Sequence, residues 1–468
     1  MKISTSLWQE SVLRKKTRIL VLLLVMSMTL SACGSQEKKS ISPQDIVIHY
    51  QADDGEYNEN MIRDTYDKIS TEEEPKEEKT IITLAYAGDA SSTDQMDFWV
   101  TSFNEENQEY YVEHTPYSWD KMEDSRRTLN IEVGTGKGPD IMTGDVFPVD
   151  IEMLDSGMLV NLEPFLVASG MTDDKYYPSY KAYESENEVY GISPNVQAFI
   201  MCVDTKVLGN YEVPEMKTLI EKLLEYPEKA CFLPYWSDYE ILQYFLMGSE
   251  DVWGMVDWER KECDFTDELF SEMLEVAKRY GENSEMGYEP VMSLIRPAPI
   301  GYEGRKSMEA QGKVIINYYF DDGNFPMCST AQTFFVNSNT KEFEGAWAFL
   351  SYVMSKKGQN LNYYLSPVHK EISHELLKKE YKDIDEGKLL VNTEEGQEIK
   401  YELADDADVL LAEIENIYNT GRYAPAKAEM IQYIIYEEVG SYFAGDKSKE
   451  EVIDVIESRV NLYLSELK

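Results

Sequence analysis

The sequence predicts an α/β fold on a largely parallel sheet, and three observations predict it. Strand-length apolar runs alternate with amphipathic stretches from Thr80 to Val133, the order strand, helix, strand, helix that builds parallel sheets. Hydrophobic residues make up 43% of the chain, with 7 Trp and 33 Tyr, enough for sizeable cores rather than a disordered polymer. The 468 residues are long enough for two domains of roughly 100–200 residues each after a leader is removed.

That leader comes first. Arg14, Lys15, Lys16 and Arg18 precede the apolar run Ile19 to Leu30, broken only by Ser27 and Thr29, and Leu30-Ser31-Ala32-Cys33 is followed by Gly34-Ser35. A basic start, a short apolar stretch and small residues before a cut describe a secretory signal. The apolar run is too short for a membrane-spanning helix, which needs about 20 residues. The segment resembles the bacterial lipobox, which implies a signal peptide over 1–32 and lipidation (palmitate and related acyl chains) at Cys33. The expected location is the extracellular face of a cell membrane, with Gram-positive origin in keeping with the anchor. No later segment holds 18 apolar residues in a row.

Residues 33–79 are polar and acidic, ending in Glu72-Glu73-Glu74-Pro75-Lys76-Glu77-Glu78-Lys79. Such a stretch buries little and repels itself into an extended tether, with Ile46-Val47-Ile48 a short apolar interruption. Thr80 to Asp89 then reads as a buried strand ending in a turn. Asp94 to Asn107 reads as a helix and Tyr110 to Thr115 as a second strand. Lys121 to Val133 is a second helix, with Gly134 expected at its C-terminal cap.

A formal charge of −43 excludes nucleic acid as a partner, because phosphate binding needs a basic surface. The acidity serves solubility. Four of the five cysteines follow Cys33: Cys202, Cys231, Cys263 and Cys328. Three pairings are open to them, but apolar surroundings at Cys202 and Cys231 favour buried free thiols. No Cys-x-x-Cys pair supports a zinc site.

Catalytic motifs fail one by one. Gly134-Thr135-Gly136-Lys137-Gly138 suggests a phosphate loop, but Ile131 stands where its first glycine is required. Asp383-Ile384-Asp385 suggests a calcium loop, but Lys388 stands where glycine is needed. His369 and His374 are five apart rather than four and are expected on the surface. No Gly-x-Ser-x-Gly elbow occurs. Paired carboxylates of a glycosidase carry no linear motif, yet nothing here points to an enzyme, a cofactor or a metal.

The segment after the second helix is more specific. Gly138-Pro139-Asp140-Ile141-Met142 precedes Gly144-Asp145 and Gly157-Met158-Leu159-Val160-Asn161-Leu162. Then come Val189-Tyr190-Gly191-Ile192-Ser193-Pro194, Phe199 to Val203 with Asp204-Thr205-Lys206, Phe334-Phe335-Val336-Asn337-Ser338-Asn339 and Ala346-Trp347-Ala348-Phe349-Leu350. Leu365-Ser366-Pro367-Val368, Ala444-Gly445-Asp446-Lys447 and Arg459 to Leu464 close the series. In order and spacing these motifs resemble extracellular solute-binding protein family 1, the carbohydrate-type, maltose-binding-like receptors of ABC importers. The likeness covers the body from about Thr80. Ser193 interrupts the family's Gly-Ile-Pro, and Lys217 to Glu221 replaces its usual helix opening.

The resemblance implies a two-lobe, type II periplasmic-binding-protein-like fold with discontinuous lobes, a hinge and an interlobe ligand cleft. The lobes would be 80–195 plus 328–367 and 196–327 plus 368–468, with crossings near Ser193–Ala198, Pro326–Thr330 and Pro367–Lys370. Ligands of open α/β sheets sit beyond the carboxyl ends of the strands, so the loops there are the candidates. Tyr86 and Asp89 follow the first strand, Trp119 the second, and Asp145 the Gly-Pro-Asp strand. Tyr235 and Trp236, Tyr302, and Tyr319 belong to the second lobe. Flat aromatics match sugar ring faces and carboxylates accept sugar hydroxyls. Trp236 with Tyr235 is the stacking candidate, and Asp89 with Asp145 the acceptor pair. Asp140 reads as structural. The expected protein is a monomeric receptor that hands a mono- or oligosaccharide to ABC permease subunits. The alternatives are a sensor or interaction protein of the same fold, or a receptor for a solute such as a peptide.

Overall fold

The computed structural model describes residues 60–69, 79–88, 94–118, 121–147, 149, 154, 156–185, 187–198, 200–204, 216–226, 230–231, 236–248, 254–281, 289–290, 292–295, 313–316, 328–329, 332–362, 366–386, 391–392, 398–399, 407–420 and 429–466. The chain divides into two units, Met1–Ile46 and Val47–Lys468, and every described residue lies in the second.

Within the stretch expected to be an extended tether lies a helix, α1 (Met61–Ile69). It docks on α2 (Gln95–Glu106). Thr65 is buried, the Tyr66 ring lies 6.1 Å from that of Phe98, and Lys68 Nζ donates to Glu105 Oε2 at 2.6 Å. Met61, Thr65 and Ile69 recur every four residues, so this part of the acidic segment carries one uncharged, inward-facing stripe. Charge in the surrounding sequence obscures it.

Strands β1 (Thr80–Ala87), β2 (Tyr110–Tyr117) and β3 (Ile141–Thr143) are parallel, with β1 between the others. Helix α2 begins at a reciprocal cap. Asp94 Oδ1 accepts the Met96 N–H and Asp97 Oδ2 accepts the Asp94 N–H, each at 2.8 Å, satisfying two otherwise orphaned donors. Helix α3 spans Met122–Gly134. Gly134 is therefore the last helical residue, not the cap. The cap is Thr135, and the left-handed turn falls on Gly136 at φ 74°, where a side chain would be strained.

After α4 (Glu163–Ala168) come β4 (Lys181–Ser185) and β5 (Glu188–Ile192). The chain then leaves this sheet through β6 (Asn195–Ala198) into β7 (Ile200–Asp204). Helices α5 (Met216–Glu225), α6 (Asp238–Gly248) and α7 (Glu268–Gly281) follow. Among them lie β8 (Ala230–Cys231), β9 (Val256–Asp257) and β10 (Glu262–Cys263). Past β11 (Glu289–Pro290), strands β12 (Met292–Ile295) and β13 (Lys313–Ile316) flank β7 in an antiparallel trio. The chain returns through β14 (Cys328–Ser329) to β15 (Phe334–Val336), which completes a six-stranded sheet of order β2-β1-β3-β15-β5-β4.

Helices α8 (Phe343–Met354) and α9 (Lys356–Gln359) precede β16 (Ser366–Pro367). Four helices end the described chain: α10 (Lys370–Asp385), α11 (Ala407–Thr420), α12 (Glu429–Phe443) and α13 (Lys449–Glu466). Strand β6 pairs with β14 on one side and β16 on the other, so the three segments expected to cross between lobes lie side by side in one small sheet.

Two cores result. Alternation along β15 sends neighbouring phenylalanines to opposite faces of the six-stranded sheet. Phe334 meets Trp99 at 6.0 Å and Phe349 at 6.1 Å between ring centroids. Phe335 packs with Leu129, Met142, Val146 and Phe147 beneath α3. The second core is helical, with Leu223, Phe245, Phe270, Ile435 and Ile456 meeting from α5, α6, α7, α12 and α13. Its free thiol, Cys263, is buried, and burial pushes that thiol up to about 12, so it is inert filler. No described helix is long and apolar enough to cross a membrane.

Candidate functional site

Parallel strands bring their carboxyl ends to one edge, and the loops that follow β1, β2 and β3 meet there. Ala87 lies opposite Tyr117 and Ala85 opposite Met142, and the Gly88 N–H donates to the Tyr117 carbonyl at 3.1 Å. This register sets Tyr86 and Gly144-Asp145 on neighbouring strand ends. Gly88 is required here by close approach. A Cβ on it would stand 2.6 Å from both Asp94 Oδ2 and Tyr86 Cε2.

Asp145 is half-buried. Burial pushes its carboxyl above the usual carboxylate range, and the nearby Arg126 charge opposes that rise. Arg126 also grips the loop's main chain, donating from Nε and Nη2 to the Asp145 carbonyl at 3.1 and 3.0 Å. The Gly144 N–H donates to the Thr333 carbonyl at 2.8 Å, which ties the same loop to the segment between β14 and β15.

Tyr86 is buried, 3% exposed, with its ring stacked on His114 at 5.7 Å. Burial raises its hydroxyl, and the Asp94 and Asp97 carboxylates raise it further. His114 Nε2 lies 2.9 Å from Asp97 Oδ1. Burial, then the Asp97 charge, push Asp94 up to about 6, against the backbone N–H groups of the cap and His114. Tyr86, Asp94, Asp97 and His114 thus form a polar cluster under the carboxyl edge, beside Asp145's strand. Chemically it offers carboxylates held partly out of water, suited to accepting hydroxyl hydrogens.

Tyr86 and Asp145 are the predicted residues that this edge brings together, and the groups that support them, Asp94, Asp97, His114 and Arg126, are not among the predicted ones. The Asp94-x-x-Asp97 spacing is a capping signature that was available in the sequence. His114 and Arg126 carry no such signal, since their roles depend on strand pairing and on the turn after β3. Trp236 packs against the second helical core, next to Ser237, whose hydroxyl donates to Glu240 at the start of α6. Cys33, Asp89, Trp119, Tyr235, Tyr302 and Tyr319 lie outside the described residues.

Asp140 is structural: its Oδ2 accepts from the Thr83 N–H at 2.8 Å and from Thr83 Oγ1 at 2.6 Å, while its own N–H donates to Thr83 Oγ1 at 3.0 Å. It pins the entry of β3 to the middle of β1. His369 is not at the surface. It is 2% exposed, bridged through its main chain to Tyr176, with the two rings edge to face at 5.0 Å. Linear spacing does not reveal that burial, since Tyr176 is far from His369 in sequence. His374 is half-exposed and lies 2.6 Å from Glu415. Among the described residues no group of His, Cys, Asp and Glu is placed to hold a metal ion.

No protein-family model matches the chain, and no curated protein does. Solved structures do match in fold. The GacH receptor of Streptomyces glaucescens GLA.O, solved unliganded and with acarbose, is 14% identical with a TM-score of 0.53, over 83% of this chain and 100% of that one. ABC substrate-binding protein Lmo0181 of Listeria monocytogenes, in complex with cycloalternan, is 12% identical with a TM-score of 0.52, over 83% and 99%. The maltose/maltodextrin-binding domain MalE of Bdellovibrio bacteriovorus, bound to maltotriose, is 12% identical with a TM-score of 0.51, over 83% and 100%. The chain has the two-lobe, periplasmic-binding-protein-like α/β fold of these maltose-binding-like proteins.

Proposed function

We propose that this chain is a lipid-anchored extracellular receptor that captures a small solute, a mono- or oligosaccharide, between two lobes and delivers it to the permease of an ABC importer. The observation that carries the reading is the position of Asp145. It is a half-buried carboxylate at the carboxyl edge of the six-stranded sheet, on a loop hydrogen-bonded to the segment where the chain returns between sheets. The fold shared with sugar-bound solved structures supports it. The basic and apolar leader ending at Cys33 supports the anchor.

In this reading the lobes are 80–195 plus 328–367 and 196–327 plus 368–468. Closure buries the ligand because the closed state binds it better, and only that difference shifts the hinge equilibrium. Asp145, together with Asp89, accepts ring hydroxyls, and the aromatics Trp119, Tyr235, Trp236, Tyr302 and Tyr319 supply stacking surface, while Tyr86, buried against His114, supports the strand edge from beneath. The chain works as a monomer and needs no cofactor.

The test is a thermal-shift screen of residues 47–468 against mono- and oligosaccharides, with amino acids and short peptides as controls. A ligand at 100 times its Kd adds about 2.7 kcal/mol, so a binding sugar raises the melting midpoint plainly. Small-angle scattering then reads compaction with that sugar. A hit among peptides alone, or none anywhere, overturns the carbohydrate reading.

A further inference from the structure

We propose that the hydroxyl pair Ser193–Thr333 is a positioning device that locks the Asp145 loop to the junction of the three chain crossings, so that the ligand-facing loop and the hinge move as one. The proposal rests on the reading of Asp145 as a ligand contact. Ser193 is the residue that interrupts the Gly-Ile-Pro pattern, and the structure gives it a task.

Ser193 Oγ and Thr333 Oγ1 lie 2.7 Å apart, buried. The first belongs to the crossing that leaves β5, the second to the crossing that enters β15. Thr333 uses its carbonyl for a second bond, accepting the Gly144 N–H at 2.8 Å, one residue before Asp145. One residue after Ser193, the Pro194 carbonyl accepts the Val368 N–H of the third crossing at 3.2 Å and Gln359 Nε2 at 3.0 Å. Gln359 Oε1 in turn accepts the His369 N–H at 3.1 Å. The dipeptide Ser193-Pro194 therefore joins all three crossings, and Thr333 extends the joint to the Asp145 loop.

Two features show that the joint is held against a cost. Gln332, next to Thr333, has φ 57°, a left-handed conformation that non-glycine residues adopt only where surroundings enforce it. Its Oε1 accepts from Asn195 Nδ2 at 3.4 Å. The hydroxyl pair is also buried, so forming it takes both hydroxyls out of water, a cost that their hydrogen bond offsets. A proline in place of Ser193 would have neither the hydroxyl nor the N–H that Ser193 donates to the Tyr180 carbonyl at 3.0 Å.

The experiment is hydrogen exchange on the full chain without ligand, read at the Gly144 amide. Four variants are compared: Ser193→Ala, Thr333→Val, the double variant, and Thr333→Ser, which keeps the hydroxyl. Loss of one buried hydrogen bond is expected to speed exchange roughly five- to tenfold at Gly144, with amides of α6 and α7 unchanged. The double variant should go no further than either single one, because both remove the same interaction. Thr333→Ser should exchange like the wild type. Additive effects, a uniform rise across both cores, or no rise at Gly144 each overturn the proposal. The readout needs no ligand, so a failed sugar screen sinks the receptor reading without deciding this one. Unchanged exchange sinks the positioning role and leaves the receptor reading standing.

Discussion

Arg126 directs two guanidinium nitrogens, Nε and Nη2, at the carbonyl oxygen of Asp145. The arginine therefore fixes the loop through its main chain while its charge acts on the carboxyl a few bonds away. Arg126→Met removes both effects. Sugar binding is expected to weaken roughly five- to thirtyfold, the loss of one or two charge-assisted hydrogen bonds. Arg126→Lys, which keeps charge but not the fork, should fall between. Isothermal titration with the sugar found in the screen measures this, and equal affinities for all three proteins would contradict the assignment.

Asp145→Asn separates binding from stability. Burial raises the folded-state pKa of Asp145 above its unfolded value. Its contribution to stability is thus fully present at pH below the unfolded value and is lost as pH rises through the folded one. At neutral pH the buried charge is a cost that asparagine lacks. The variant is expected to melt a few degrees higher than the wild type at pH 7, with the difference closing towards pH 4. Its sugar affinity should drop at least about tenfold, since an amide cannot accept hydroxyls on both atoms. Paired melting curves and titrations check both halves.

Asp94 gives a second pH signature. Its carboxyl is pushed up to about 6, against about 3.9 in an unfolded chain. Wild-type stability is accordingly expected to rise as pH falls from about 6.5 to about 4. Asparagine caps a helix about as well as aspartate, so Asp94→Asn should keep α2 and lose this slope. Asp94→Ala should lose the cap as well, at about 1 kcal/mol. A melting midpoint that is parallel in pH for wild type and Asp94→Asn would refute the perturbed carboxyl.

The docking of α1 depends on packing more than on charge. Lys68→Ala removes an exposed pair with Glu105, worth about 0–1 kcal/mol, and should leave α1 in place. Thr65→Arg puts a charge into a buried position and should release it. Limited proteolysis within 60–69 reads the outcome: slow cutting in wild type and Lys68→Ala, fast cutting in Thr65→Arg.

The first half of the six-stranded sheet was legible in the sequence because β1, α2, β2 and α3 follow one another with local apolar periodicity. Asp140 was legible as a structural residue for the same reason, since it sits at the entry of a strand. Helix α1 was not, because Tyr66 stands among acidic neighbours and its ring gains meaning only against Phe98. Nor was the burial of His369, which comes from Tyr176, far away in sequence.

By itself the sequence determined the α/β class and the chemistry available at the strand ends, both of which depend on residues close together along the chain. Tertiary structure alone decided which distant groups act on one another. Arg126 reaches Asp145 because β3 ends in a turn beneath α3, and Ser193 meets Thr333 because β14 and β15 return beside β5 and β6. Hydrogen bonds depend on distance in space, and 140 residues separate those two hydroxyls in the chain.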